Sequence, residues 1–241
     1  MTTFDPGRVS AVIFDIGGVF TYPTFHPVRH TLSAWGIDHP DDEPFLRAHH
    51  AGVHALTLAR RDRGVSGHSE DYWYTYDHAY GAKLGVGEER MAELRTSIRT
   101  DWDWVHLDNV AAFARLVKSG LPTALVSNND GTAAEQMQDL GICQIGPGPL
   151  PSVATIVDSA IVGILKPDPA IFAPALEALD VEPGRALYIG DTVYADVDGA
   201  LAAGMQVVQL DPFDDHADFG HARLPDVAAV EAALAERLFA D

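Results

Sequence analysis

Polar residues that could act together follow three predicted strands of this 241-residue chain. Asp15 comes directly after the apolar run AVIF, and Asp191 ends the run RALYIGD. Ser127 ends the run PTALVS, and Asn128 follows it. In open parallel α/β sheets, ligands bind beyond the carboxyl ends of the strands. The sequence therefore predicts that these side chains share one site.

Two further charged residues extend this predicted site. Lys166 stands in GILKPDP just before a predicted helix, and Asp196 follows Asp191 by five residues. Facing carboxylates repel each other unless a cation lies between them, and oxygen ligands of this kind favour Mg²⁺. A hydroxyl, backbone N–H groups and an ammonium group suit a phosphate dianion, which a nearby carboxylate could attack to form an aspartyl-phosphate. The pattern predicts metal-assisted phosphoryl chemistry.

The elements that must position these residues alternate between strands and helices from about residue 108 onward. This alternation predicts an α/β fold with a doubly wound, Rossmann-like parallel sheet. Between residues 21 and 107 strand signals are few and helical spacing recurs, which predicts an inserted helical segment. We therefore expect an α/β core domain formed by residues 1–20 and 108–241, with an α-helical domain inserted over 21–107.

Charge and composition narrow the function classes. The net charge of −19 argues against nucleic acid and anionic membranes as partners. The single cysteine, Cys143, excludes an internal disulfide and fits a reducing compartment. The N-terminus does not resemble a signal peptide, and no apolar run approaches the roughly 20 residues that a membrane-spanning helix needs. We expect a cytoplasmic protein, monomer or homodimer, that acts on small molecules.

Four ordered segments resemble the haloacid dehalogenase-like (HAD) superfamily of hydrolases. They read FDIGGV, ALVSNN, VGILKPDPAIF and YIGDTVYADVDGALAAGM, and together they extend over most of the chain. The resemblance is to the subgroup that carries a helical cap domain between the first and second motifs. It implies a Mg²⁺-dependent phosphatase of a small phosphorylated metabolite, whose cap, residues 21–107, closes over the site and selects the substrate.

The resemblance also implies roles for the matched positions around the metal. Asp15 would be both the nucleophile and a metal ligand, and Gly17 would offer its backbone carbonyl to the ion. Asp191 would ligate Mg²⁺ directly, and Asp196 would do so directly or through water.

Matched positions around the phosphate receive roles in the same way. Ser127 would hold the phosphate with help from the Asn128 amide. Lys166 would neutralise both the nucleophile and the phosphate.

Gly17 departs from the family pattern, because phosphatases of this family usually carry an aspartate at this position. That aspartate protonates the leaving alcohol and then deprotonates the attacking water, a contribution of about 10²- to 10⁴-fold. Tyr22 and His26 follow shortly after the motif and are candidates to replace it. A good leaving group, such as an anomeric or acyl phosphate, would need less protonation.

Three interpretations remain open. The chain is a phosphatase that manages without the usual acid, or a catalytically weak binding or regulatory protein that retains the fold, or a 2-haloacid dehalogenase, whose halide leaving group needs no acid. The third is disfavoured by the intact pair Asp191 and Asp196, since dehalogenases need no Mg²⁺ and tend to carry an aromatic residue in place of Gly17.

Overall fold

A computed structural model of the chain describes residues 4–64, 70–98 and 101–238. None of the helices in these ranges is both long and apolar enough to cross a membrane.

The structure consists of ten strands and ten α-helices in its described part. The strands are β1 (Ala11–Phe14), β2 (Thr21–Tyr22), β3 (Trp104–Val105), β4 (Thr123–Ser127), β5 (Gln144–Ile145), β6 (Ser152–Val153), β7 (Ile156–Asp158), β8 (Ala186–Gly190), β9 (Gln206–Leu210) and β10 (Ala222–Leu224). The helices are α1 (Phe25–Ala34), α2 (Glu43–Arg63), α3 (Glu70–Lys83), α4 (Met91–Ile98), α5 (Leu107–Lys118), α6 (Ala133–Asp139), α7 (Ser159–Val162), α8 (Ala173–Ala178), α9 (Asp198–Ala202) and α10 (Val227–Leu238).

The chain forms two compact units. The sheet unit comprises Met1–Phe20, Val105–Pro212 and Asp218–Asp241, and the helical unit comprises Thr21–Trp104 and Phe213–Ala217. The helical unit is therefore built from two separate stretches of chain, the second only five residues long.

A six-stranded sheet in the order β10-β9-β8-β1-β4-β7 organises the sheet unit, and every neighbouring pair is parallel. Strand β1 lies between β8 and β4, with Phe14 paired to Ile189 on one side and to Leu125 on the other. Parallel pairing brings the carboxyl ends of these three strands to one edge of the sheet. The predicted α/β fold with a doubly wound parallel sheet is confirmed.

Alternate strand residues form two apolar cores, one on each face of the sheet. Val12 and Phe14 belong to the first core, which α5 and α10 complete. Ala11 and Ile13 belong to the second, with the segment from Ile171 to Ala175. Because helices cover both faces, the central strands are buried along their whole length, as their unbroken apolar sequence indicates.

The helical unit has its own core of aromatic and aliphatic side chains. His49 and His50 are buried among them. The His49 ring lies edge-on to Tyr22, 4.8 Å between centroids, and its Nδ1 is 2.7 Å from the Tyr76 hydroxyl. The His50 ring lies 5.1 Å from the His49 ring and 5.5 Å from the Phe213 ring, so both histidines pack within the helical unit.

The five-residue stretch of the helical unit packs on α2 through two side chains. Arg47 stacks over the Phe213 ring at 4.3 Å, and the buried His216 lies 4.8 Å from His54, ring to ring. A sequence-based boundary at 21–107 has no means of including these residues, and the domain assignment itself stays a prediction.

Candidate active site

Asp15 is the first residue beyond β1 and is almost fully buried. Its backbone N–H donates to the Ile189 carbonyl at 2.8 Å, so the chain is still held by β8 at this point. Within the described residues, both hydrogen bonds to its carboxylate fall on Oδ1, from the Ile16 N–H and from Lys166 Nζ, each at 2.8 Å. Oδ2 is therefore the oxygen that can turn to a ligand.

Three buried carboxylates meet beyond β1 and β8. One oxygen from each of Asp15, Asp191 and Asp196 lies within 4.8 Å of the others. Gly18, with φ of 70°, brings the turn after β1 so close to Asp191 that a Cβ there would overlap the carboxylate. A glycine is thus required at position 18 for both its conformation and its size.

Asp196 is the most enclosed of the three carboxylates. Its Oδ1 accepts from Lys166 Nζ at 2.7 Å, and the Tyr188 hydroxyl lies 3.0 Å from this oxygen and 3.0 Å from the Val126 carbonyl, so its one hydrogen can go to either. Its Oδ2 accepts from the backbone N–H and the hydroxyl of Thr192, at 2.9 and 2.7 Å. Oδ2 already accepts two hydrogen bonds and Oδ1 accepts one from Lys166, so Asp196 is better placed to hold Lys166 than to bind an ion directly.

Lys166 is fixed at its backbone as well as at its ammonium group. The Asn128 side chain accepts from the Lys166 backbone N–H at 2.8 Å and donates to the Lys166 carbonyl at 3.2 Å. The side-chain amide of Asn128, at the end of β4, therefore holds the main chain of Lys166 with two hydrogen bonds. The ammonium group lies between Asp15 and Asp196 with the side chain 2% exposed.

Burial and charge determine the ionisation of this cluster. Burial raises the pKa of Asp15 to about 7, Lys166 opposes the shift, and Asp196 and Asp191 add to it. Burial alone would lower the pKa of Lys166, but the carboxylates of Asp15 and Asp196 raise it. Burial would likewise raise the pKa of Asp196, and its bonds to Lys166 and Thr192 lower it instead. A cation near Asp15 would therefore stabilise the ionised form of its carboxylate.

The remaining predicted site residues lie at the same strand ends. Ser127 is the buried last residue of β4, and Gly17 is half-buried in the turn two residues beyond Asp15. The register pairs Phe14, the residue before Asp15, with Leu125, two residues before Ser127.

Two residues of this network were missed from the sequence. Tyr188 and Thr192 bind the carboxylate of Asp196, on either side of Asp191. Tyr188 carries a hydroxyl in a buried strand whose other side chains are apolar, and a buried phenol needs a hydrogen-bond partner. This hydroxyl in an apolar strand was the sequence feature that could have identified Tyr188.

The donor set fits a hard divalent cation. Carboxylate oxygens are the ligands that Mg²⁺ takes in proteins, and three buried acids face a single lysine here. A bound cation would favour the ionised form of Asp15, whose pKa is raised by burial and further by the carboxylates of Asp196 and Asp191.

Comparison with known proteins identifies the family. The family model described as haloacid dehalogenase-like hydrolase matches residues 9–204. This chain belongs to the haloacid dehalogenase-like hydrolase family. The four segments that carried the resemblance lie within the matched range, except for Met205 at the end of the fourth.

Relatives of this HAD hydrolase include a glyceraldehyde 3-phosphate phosphatase of Pyrococcus furiosus, 30% identical over 125 residues. That match covers 48% of this chain and 50% of the relative, so the chain aligns with about half the length of this curated relative.

Solved structures share the fold along nearly the whole chain. A HAD phosphatase from Thermococcus onnurineus is 19% identical with a TM-score of 0.55, covering 94% of this chain and 98% of that one. A 2-haloacid dehalogenase from Pseudomonas syringae is 17% identical with a TM-score of 0.50, covering 95% and 99%. Likeness at these identities shows the fold alone.

Proposed function

We propose that this HAD hydrolase is a Mg²⁺-dependent phosphatase of a small phosphorylated metabolite, with Asp15 as the nucleophile. The observation that carries the proposal is the buried cluster in which Asp15 contacts Lys166 and faces Asp191. The phosphatase relative supports this reaction over dehalogenation, and three clustered acids are more than a metal-free dehalogenase needs.

Asp15 Oδ2 and Asp191 are the side-chain groups that would hold Mg²⁺, with the Gly17 carbonyl as a further ligand and Asp196 reaching the ion through water. Bound Mg²⁺ would supply charge neutralisation for the phosphate and for the carboxylate that approaches it. This division follows from the hydrogen bonds, because Asp196 is already occupied by Lys166 and Thr192.

Asp15 attacks phosphorus in the first half of the proposed reaction. The new bond joins its carboxylate oxygen to phosphorus, the ester P–O bond breaks, and the leaving oxygen takes a proton from water. Lys166 offsets the charge of the nucleophile. The Ser127 hydroxyl holds the phosphate, and any help from Asn128 comes from its backbone N–H, since its side chain binds the main chain of Lys166.

Water attacks phosphorus of the aspartyl-phosphate in the second half. The bond between phosphorus and the Asp15 oxygen breaks, inorganic phosphate leaves, and the carboxylate is restored. The attacking water gives up a proton, which neutralises the hydroxide left when the leaving oxygen was protonated by water. Gly17 offers no side chain to move a proton in either half, so we propose substrates with good leaving groups, such as acyl or anomeric phosphates.

A panel of phosphate esters and acyl phosphates, assayed with Mg²⁺ and after EDTA treatment, tests the proposal. We expect activity that requires the metal and falls by at least about 1,000-fold in Asp15→Asn. Asp139→Asn, at an exposed helix end, is the matched control and should keep full activity.

Each outcome separates the three candidate functions. Activity that survives Asp15→Asn would remove Asp15 as the nucleophile. Halide release from 2-haloacids without metal would favour the dehalogenase. A folded protein that is silent in both assays would be a binding protein.

A further inference from the structure

Gln209 is a fully buried polar residue between two buried apolar residues of β9, Val208 and Leu210. The register pairs it with Gly190, the residue before Asp191. Burying a side-chain amide costs free energy unless its polar groups find hydrogen-bond partners. A glutamine at this position therefore requires specific partners close to the acidic cluster.

The two partners of the Gln209 amide give its hydrogen bonds a direction. Its Nε2 lies 2.8 Å from the Asp191 carbonyl oxygen, and its Oε1 lies 2.6 Å from His221 Nε2. Because a backbone carbonyl can only accept, the amide nitrogen donates to Asp191, and the amide oxygen accepts the hydrogen that His221 carries on Nε2. A chain of hydrogen bonds thus runs from His221 through Gln209 to Asp191.

The peptide group between Asp191 and Thr192 is held on both sides. Its carbonyl accepts from Gln209, and its N–H donates to Asp196 Oδ2 at 2.9 Å. The C=O and N–H groups of a trans peptide point in opposite directions, so these two bonds fix the rotation of the peptide plane. The main chain from which the Asp191 carboxylate extends is therefore fixed, and the turn at Gly18 packs directly against that carboxylate.

We propose that Gln209, oriented by His221, is a positioning residue that holds Asp191 in the direction needed to bind Mg²⁺. The inference rests on the proposed function, in which Asp191 ligates the metal. Hydrogen bonds that orient a metal ligand typically change metal affinity by about 10- to 100-fold. The role of Gln209 is therefore in metal affinity and not in substrate binding.

Gln209→Met removes both hydrogen bonds and keeps a side chain of similar length and volume. Mn²⁺ takes the same carboxylate, carbonyl and water ligands as Mg²⁺ and serves as the probe. The electron paramagnetic resonance signal of the free ion reports how much Mn²⁺ stays unbound. We expect the Kd for Mn²⁺ to rise about tenfold or more in the variant.

Gln206→Met is the matched control, with the same substitution at the other end of β9. The Gln206 side chain accepts from the Asp5 N–H at 2.7 Å and donates to the Gly184 carbonyl at 3.3 Å. Its loss leaves the hydrogen bond to Asp191 intact and should leave the Kd for Mn²⁺ unchanged.

His221→Phe tests the same chain of hydrogen bonds without altering the fully buried position 209. His221 is only half-buried, and its loss leaves the Gln209 amide free to turn away from Asp191. We expect the Kd for Mn²⁺ to rise about threefold, near the lower end of what one neutral hydrogen bond contributes.

Turnover at varied metal concentration separates positioning of the metal ligand from general support of the fold. In Gln209→Met the Mg²⁺ concentration for half-maximal activity should rise about tenfold. KM for the substrate at saturating Mg²⁺ should stay unchanged, and excess Mg²⁺ should restore kcat. A residue that only supports the fold would lower kcat at every metal concentration.

The outcomes distinguish this inference from the proposed function. Wild-type protein that binds Mn²⁺ but hydrolyses no phosphate compound overturns the function, and Mn²⁺ binding still tests Gln209. Folded Gln209→Met that binds Mn²⁺ as tightly as the wild type overturns the inference, as does an equal loss in Gln206→Met. If Gln209→Met does not fold, unchanged Mn²⁺ binding in His221→Phe overturns it.

Discussion

Gly17 leaves the turn after Asp15 without a side chain that could move a proton. Asp15, Lys166 and the acidic cluster do not depend on that side chain, since their contacts are made by other residues. The missing side chain at position 17 instead limits which leaving groups the proposed reaction can expel. An alkoxide needs protonation as it departs, whereas an acyl or anomeric oxygen needs far less.

Gly17→Asp should therefore change the enzyme selectively. We expect kcat toward simple alkyl phosphates to rise by about tenfold or more, because a carboxyl group at this half-buried position can act as the general acid. Activity toward acetyl phosphate should change by less than about threefold. Parallel kinetics on the two substrates check this, and an equal effect on both would contradict it.

The sequence predicted individual site residues where position along the chain determines position in the site. Asp15, Ser127 and Asp191 could be proposed together because each ends a buried strand, and parallel strands end at one edge. Hydrogen-bond direction carries no such signature. The Asn128 side chain faces the main chain of Lys166, 38 residues away, and nothing in either segment encodes that pairing.

At the scale of elements, Asp158 joins three segments beside the site. Its Oδ1 accepts from the Ala160 N–H at 2.9 Å and so begins α7. Its Oδ2 accepts from the N–H groups of Gly131 and Ala133, at 2.9 and 3.1 Å, and so holds the start of α6. A single buried carboxylate therefore anchors the loop that follows Ser127.

Asp158→Ala should lower the free energy of unfolding by about 2 kcal/mol, the sum of two lost helix caps. Urea unfolding measures this. Asp168→Ala removes an exposed cap with a single bond, to the Ala170 N–H at 3.0 Å, and should cost about half as much. Equal losses in the two variants would contradict an anchoring role for Asp158.

Regular elements were predictable where apolar period and capping residues agree, and less so near the site. The helix after Asp191 begins as a π-helical turn, Val193–Val197, in which the Thr192 carbonyl accepts from the N–H groups of both Asp196 and Val197. A π-helical turn is closed by i→i+5 hydrogen bonds, and an apolar spacing of 3.6 residues does not reveal such a turn. Strand β10 escaped prediction because its three residues are only half-buried.

At the scale of the whole molecule, a histidine buried in the core of the helical unit makes the free energy of unfolding depend on pH. Burial lowers the pKa of His49 to about 3, whereas a histidine in an unfolded chain titrates near 6.5. Between these values the unfolded chain binds a proton that the folded chain does not. The contribution of His49 to the free energy of unfolding therefore decreases as the pH falls from about 6.5 toward 3.

His49→Gln should remove this dependence. At pH 5 the wild type loses about 2 kcal/mol through His49 relative to pH 7.5, and the variant should be spared that loss. Unfolding curves at the two pH values check this, with His30→Gln, an exposed histidine, as the control that keeps the wild-type slope. Parallel curves for wild type and His49→Gln would contradict the prediction.

The two stretches that build the helical unit have a consequence for protein engineering. Exchanging such units between relatives is an obvious route to new specificity, and residues 21–104 look like a self-contained cassette. If residues 21–104 of this chain were replaced by those of a relative, Phe213 and His216 would remain but would face the relative's α2. The contacts of Phe213 with Arg47 and of His216 with His54 would then be lost. The transferable module is a discontinuous one, and a working graft carries residues 213–217 along with it.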